Sequence, residues 1–241
     1  MQNDSEKVRR GLLSGLDKDD LTSWNIQGPN GEKLISVKQI LVFIPCYLAA
    51  YVLTSRGIPK DRFYPVYCKI DEMLPLCEPF VIPYITWILL IPTLLVYFFK
   101  TDLYALRRMA KYFIYTILIV MPIFIIFPSC MPLRPSSIEV HGVLSWLLSV
   151  IYTVDVNTNV CPSVHVIWGF GMFFALWNDR RFSSVGWKIA LIVLIVLICM
   201  STFMIKQHSV IDVAAAVPFV LIGWFLSYRK KHTQEQPTAG D

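Results

Sequence analysis

The stretch Ser201-Thr202-Phe203-Met204-Ile205-Lys206-Gln207-His208-Ser209-Val210-Ile211-Asp212 links two apolar runs, residues 187–206 and 209–228. Each run has the roughly 17 to 25 mainly apolar residues that a helix needs to cross a hydrocarbon core. A second polar stretch, Asn159-Val160-Cys161-Pro162-Ser163-Val164-His165, leads into another run at 162–178. The same criterion outward from these places spans at 36–54, 80–99 and 112–131, six in all. The apolar piece from Val143 to Ile151 is too short to cross. It reads as a re-entrant or interfacial helix between spans three and four, with Trp146 suited to the interface.

Composition agrees with this all-α, six-span bundle. Hydrophobic residues make up 55% of the 241-residue chain and aromatics 14%, and the mean hydropathy of +0.54 is far above soluble averages. No repeat or linker divides the chain. The expected organisation is a polar N-terminal tail (1–34), one membrane domain (35–229) and a short C-terminal tail (230–241). The N-terminal tail lacks the apolar core of a cleavable signal. Sixteen of the 22 Lys and Arg residues fall in the two tails and in the loops after the second and fourth spans, against six on the other side. By the positive-inside rule both termini are cytosolic. Arg134, His165, Lys206, His208 and Asp212 then meet at the extracytosolic face. The compact loops suit a bacterial inner membrane.

The clustered positive charge reports topology, and no nucleic-acid partner is expected. The six cysteines have neither a zinc-ligand nor a CxxC spacing. Cys46 and Cys199 read as packing residues, while Cys68 with Cys77, and Cys130 with Cys161, are two conceivable disulfides. Neither a metal nor a cofactor is expected.

His208 and Asp212 lie at i and i+4, on one face of the last span. The carboxylate can orient one imidazole nitrogen and leave the other as a nucleophile. Pro162-Ser163-Val164-His165 opens the fourth span, with Ser163 a good N-cap. His165 suits a general acid that protonates a leaving alkoxide. Arg134 and Lys206 add fixed positive charge for phosphate oxygens, and a helix N-terminus favours an anion.

Pro162-Ser163-x-His165, followed by Ser201-x6-His208-x3-Asp212 and preceded by Arg134-Pro135, resembles the type 2 phosphatidic acid phosphatase (PAP2) superfamily of six-span lipid phosphatases and phosphotransferases. The likeness covers about residues 80–228. It implies His208 as a nucleophile that forms phosphohistidine, Asp212 as its orienting partner and His165 as general acid. It implies Arg134, Ser163 and Ser201 as phosphate-binding residues, a membrane lipid phosphate as substrate, and no metal. Phe127 and Thr202 stand where the family pattern carries Lys and Arg, and Lys206 is placed to restore one charge. The Ile205-Lys206-Gln207-His208 string and the Asp155-x-Asn157-x-Asn159 lead-in are similar to a bacterial branch grouped with inositol phosphorylceramide synthase-like members.

Blander roles stand beside these. Arg134 suits a snorkelling position, Lys206 a span end, and Asp155, Asn157 and Asn159 a capping and turn network. A phosphatase is the leading expectation, with a lipid phosphotransferase and a catalytically weak lipid-binding or transport protein as rivals.

Overall fold

The computed structural model describes Trp24, residues 26–28 and residues 32–229. The two expected tails lie outside these residues, save for Trp24 and a two-stranded antiparallel ladder of β1 (Ile26–Gln27) on β2 (Lys33–Leu34). The chain is mostly helical. The α-helices among the described residues are α1 (Val37–Arg56), α2 (Lys69–Met73), α3 (Val81–Thr101), α4 (Leu103–Ile126), α5 (Val143–Val154), α6 (Val164–Trp177), α7 (Val185–Met204) and α8 (Val210–Ser227).

Caps explain where most of the long helices begin. The Ser36 hydroxyl accepts from Gln39 N–H while the Gln39 side chain accepts from Ser36 N–H, a closed capping box at α1. Asp102, Ser163 and Ser184 cap α4, α6 and α7 through their side chains. At α8 the Ser209 hydroxyl accepts from Ile211 N–H, and Asp212 accepts from Ser209 N–H.

By length and composition α1, α3 with the turn before it, α4, α7 and α8 can each cross a membrane. Large apolar side chains cover their outer faces, among them Leu53 on α1, Leu118 on α4 and Leu221 on α8. Two expected boundaries moved. The third span was expected from 112 to 131, but α4 begins at Leu103, because the turns carrying Arg107, Arg108 and Lys111 are helical although too polar to score as a span. Past Ile126 the chain is no longer helix: β4 (Ser129–Cys130) pairs in parallel with β3 (Tyr64–Pro65). The fourth expected span is the 14-residue α6, which rises only about 21 Å.

The short α6 is the central post. It packs against α3, α4, α7 and α8, and Val166, Ile167, Met172 and Ala175 on it are buried. Two glycines allow the closest approaches: a Cβ on Gly171 would fall 2.6 Å from the Tyr112 ring, and one on Gly223 would also meet that ring at 2.6 Å. Tyr112 is fully buried between α6 and α8. A smaller cluster of Val81, Tyr84, Leu148, Ile151 and Ile205 fastens α5 to the bundle.

Successive long helices run in alternating directions, so the ends differ chemically. At one end Arg108 of α4 donates to the carbonyls of Ser227 and Tyr228 at the end of α8, and Tyr97 of α3 reaches Asp179 after α6. At the other end Tyr51, Tyr84 and His165, from α1, α3 and α6, converge on Asp155.

Candidate active site

Two loops build the site. After α7 the chain turns through Lys206, whose φ is 56°, and the Gln207 and His208 N–H groups both donate to the Thr202 carbonyl, at 3.0 and 2.9 Å. Thr202 thereby shapes the turn that presents His208. The second loop, residues 155–163, is pinned by its own polar side chains. Asn157 bonds both the N–H and the carbonyl of Met131. Thr158 donates to the Ser55 carbonyl, and Asn159, with φ of 57°, donates to Thr54 Oγ1. Ser163 N–H donates to the Asp212 carbonyl at 3.2 Å, tying the two loops together.

His165 and His208 meet ring to ring: His165 Nδ1 lies 2.9 Å from His208 Nε2. His208 Nδ1 lies 2.8 Å from the Val160 carbonyl and 3.4 Å from Asp212 Oδ2. A carbonyl only accepts, so it assigns a hydrogen to His208 Nδ1, and in the neutral imidazole the lone pair is then on Nε2. On the far side, His165 Nε2 stands at the ion-pair distance of 3.5 Å from Asp155 Oδ2. Tyr51 Oη donates to Asp155 Oδ1 at 2.9 Å and Tyr84 Oη donates to Oδ2. The His165 ring packs against Trp87, with centroids 4.2 Å apart, and against Tyr84.

These groups close the polar end of a cavity of about 560 Å³ between α1, α3, α4 and α6. Asp155, Asn159, His165, Gln207 and His208 line that end. Apolar side chains such as Ile40, Phe43, Ile91 and Ala110 line the remainder, and no Lys or Arg is among the lining residues.

Of the seven residues that the sequence nominates, the cavity is lined by His165 and His208. Asp212 lies behind His208, fully buried, its Oδ1 without a hydrogen-bond partner. The other four direct their polar atoms to the chain itself. Arg134 donates to the carbonyls of Asp155 and Tyr152 and to Gln207 Oε1, and its guanidinium stacks 4.0 Å above the Tyr152 ring. Burial lowers its pKa from the usual value. Ser163 accepts from Val166 N–H as the α6 cap, and Ser201 donates back to the Ile198 carbonyl within α7. Lys206 Nζ donates to the carbonyls of Asp71 and Leu74, at 2.5 and 2.6 Å, around the end of α2. Phe127 stacks on Tyr64 with centroids 4.8 Å apart.

No protein-family model, curated protein or solved structure matches this chain. The site therefore stands on its own geometry. That geometry adds residues the sequence did not nominate. Asp155 is the C-cap of α5, in keeping with the expected capping and turn network, but its carboxylate also faces His165, and its partners Tyr51 and Tyr84 lie 104 and 71 residues away in sequence. Its place ten residues before His165, in the same polar run, is the one local signal. The Val160 carbonyl leaves no mark in a sequence at all.

Cys161 lies in the second loop, beside Asp212. Burial and the neighbouring Asp212 carboxylate push its thiol up to about 12, so the thiolate is absent at neutral pH. All six cysteines are free thiols.

Proposed function

We propose that the protein is an integral membrane enzyme that transfers a phosphoryl group from a lipid phosphate monoester or diphosphate to water, through a phosphohistidine on His208. The observation that supports this most is the 2.9 Å approach of His165 Nδ1 to His208 Nε2 at the polar end of an apolar cavity. Such a cavity matches a lipid with its phosphate at the histidines and its chain among Ile40, Phe43 and Ala110. The Val160 carbonyl and Asp212 keep the hydrogen on His208 Nδ1, so Nε2 carries the attacking lone pair. In the free enzyme the two nitrogens touch, and substrate binding parts them to admit phosphorus. His165 Nδ1 then protonates the leaving oxygen, and in the second half-reaction takes a proton from water.

In this reading α1, α3, α4, α6, α7 and α8 are the six crossings, with loop 155–163 at membrane depth before the short α6 and α5 at the interface. Both termini are cytosolic, and the histidines face the opposite side.

A second reading is favoured by the cavity lining. With no Lys or Arg there, a monoanionic phosphodiester is better matched than a dianionic monoester, since fixed positive charge is what a second negative charge requires. A lipid hydroxyl would then replace water, passing a head group between lipids.

Purified protein and His208→Ala, given phosphatidic acid, an isoprenyl diphosphate and a labelled phospholipid donor, test both. Phosphate released by the wild type alone supports hydrolysis, and head-group exchange without phosphate supports transfer. Equal, background activity from both proteins would sink the enzyme reading.

A further inference from the structure

Each histidine of the pair has its own carboxylate. Asp212 stands 3.4 Å from His208 Nδ1, and Asp155 stands 3.5 Å from His165 Nε2. The inner nitrogens meet at 2.9 Å, so Asp155, His165, His208 and Asp212 form one continuous line.

The Val160 carbonyl sets the direction of that line. It requires a hydrogen on His208 Nδ1; with that imidazole neutral, as a nucleophile must be, Nε2 is an acceptor and the hydrogen of the inner contact belongs to His165 Nδ1. His165 Nε2 then faces a carboxylate, a contact suited to hold one further proton, on whichever atom. Tyr51 and Tyr84 hold both Asp155 oxygens, so the carboxylate cannot turn away. The free protein is thereby charged for phosphoryl transfer, with a lone pair on one histidine and a deliverable proton on the other.

We propose that Asp155 is a positioning residue for the general acid: it holds the second proton that lets His165 give up its first. This rests on the phosphohistidine reading. The His208 Nε2 lone pair forms the N–P bond while the P–O ester bond breaks, its electrons going to the leaving oxygen. That oxygen takes the Nδ1 proton of His165, and the proton shared with Asp155 settles on Nε2, leaving His165 neutral. Water then attacks phosphorus, His165 Nδ1 accepts its proton, and the N–P bond electrons return to His208.

A general acid matters only when the leaving group needs a proton, which distinguishes this role from a structural one. Wild type and Asp155→Asn are compared on dodecyl phosphate, whose alkoxide needs protonation, and on 4-nitrophenyl phosphate, whose phenolate leaves without it. Asp155→Asn is expected to lose roughly 100-fold on the alkyl ester, the low end of what general acid catalysis contributes, and less than about threefold on the aryl ester. The ratio of the two rates in one preparation is independent of how much protein folded. A wild type active on both esters with a ratio unmoved in Asp155→Asn overturns the inference while leaving the phosphohistidine reading intact. A wild type without activity on either ester overturns the monoester-hydrolase reading, and the inference with it.

Discussion

The carboxylate of Asp71 accepts from the Ser209 hydroxyl at 2.5 Å and from the Val210 N–H at 2.9 Å. The N-terminus of α8, which sequence marks as a cradle for phosphate, is therefore occupied by an anion of the chain itself. Cys68 N–H donates to the same carboxylate, and Lys206 grips the Asp71 carbonyl from the other side. The short α2 is thus a clasp on the turn that carries His208.

Replacing that carboxylate loosens the clasp. Asp71→Ala leaves the Ser209 hydroxyl and two backbone N–H groups without acceptors, at about 1–3 kcal/mol for each that stays buried. We expect a loss of roughly 3 kcal/mol, read as a lower melting temperature in detergent. An unchanged melting temperature would mean that water replaces the clasp.

The same residue gives an acid limit. Burial pushes the Asp71 carboxyl up, but hydrogen bonds from Ser209, Val210 and Cys68 outweigh it and hold its pKa below the ordinary value. A carboxyl depressed on folding contributes stability that is fully present above its unfolded pKa of about 3.9 and is lost as pH falls through the lower folded value. Melting temperature should therefore fall below about pH 4, and less steeply in Asp71→Asn than in the wild type.

Lys206 separates a structural role from phosphate binding. Its ammonium is satisfied by the carbonyls of Asp71 and Leu74, so Lys206→Met should cost about 1–3 kcal/mol of stability. KM for a lipid phosphate, measured on folded protein, should change by less than about threefold. A tenfold rise in KM without loss of stability would return Lys206 to the substrate.

Residues that act through their neighbours along the chain were legible. Hydropathy located α1, α3, α7 and α8 to within a few residues, and Ser163 is the α6 cap that its place before Val164 suggests. His208 and Asp212 do meet, at 3.4 Å, but His208 lies in the turn before the Ser209 cap, so the contact is made by that turn and not by the shared helix face expected from the spacing. What was not legible depends on distant parts of the chain. Asp71 meets Ser209 across 138 residues, and Asp155 meets Tyr51 across 104. No periodicity records such meetings. Polar residue types suggest a site, but whether Arg134 or Lys206 faces a ligand or a carbonyl depends on which backbone groups packing leaves open.

The bundle centre should tolerate little added volume. Alanine at Gly171 or Gly223 places a methyl within 2.6 Å of the buried Tyr112 ring, and overpacking of this kind costs about 1–3 kcal/mol. Each variant should melt lower than the wild type. Tyr112→Leu should partly relieve either one, and independent, additive losses would show that the ring is not the obstacle.

The cavity has a direction, and the direction predicts chain-length selectivity. Along α1 it runs from Tyr51, beside Asp155, to Ile40, about 16 Å at the helical rise. Ala110, near the start of α4, lines the end away from the histidines. Phenylalanine at that position fills the deep end without touching His165 or His208. Turnover of a hexyl phosphate should then change little, while kcat/KM for a dodecyl phosphate falls roughly tenfold, equivalent to about 1.4 kcal/mol of lost chain burial. Ala110 is itself buried in the core, so the added ring should lower the melting temperature, at a cost of about 1–3 kcal/mol, and kcat/KM is compared on folded protein. Equal losses on both esters would mean that the lipid chain lies elsewhere, against the exposed faces of the helices and not between α1 and α4.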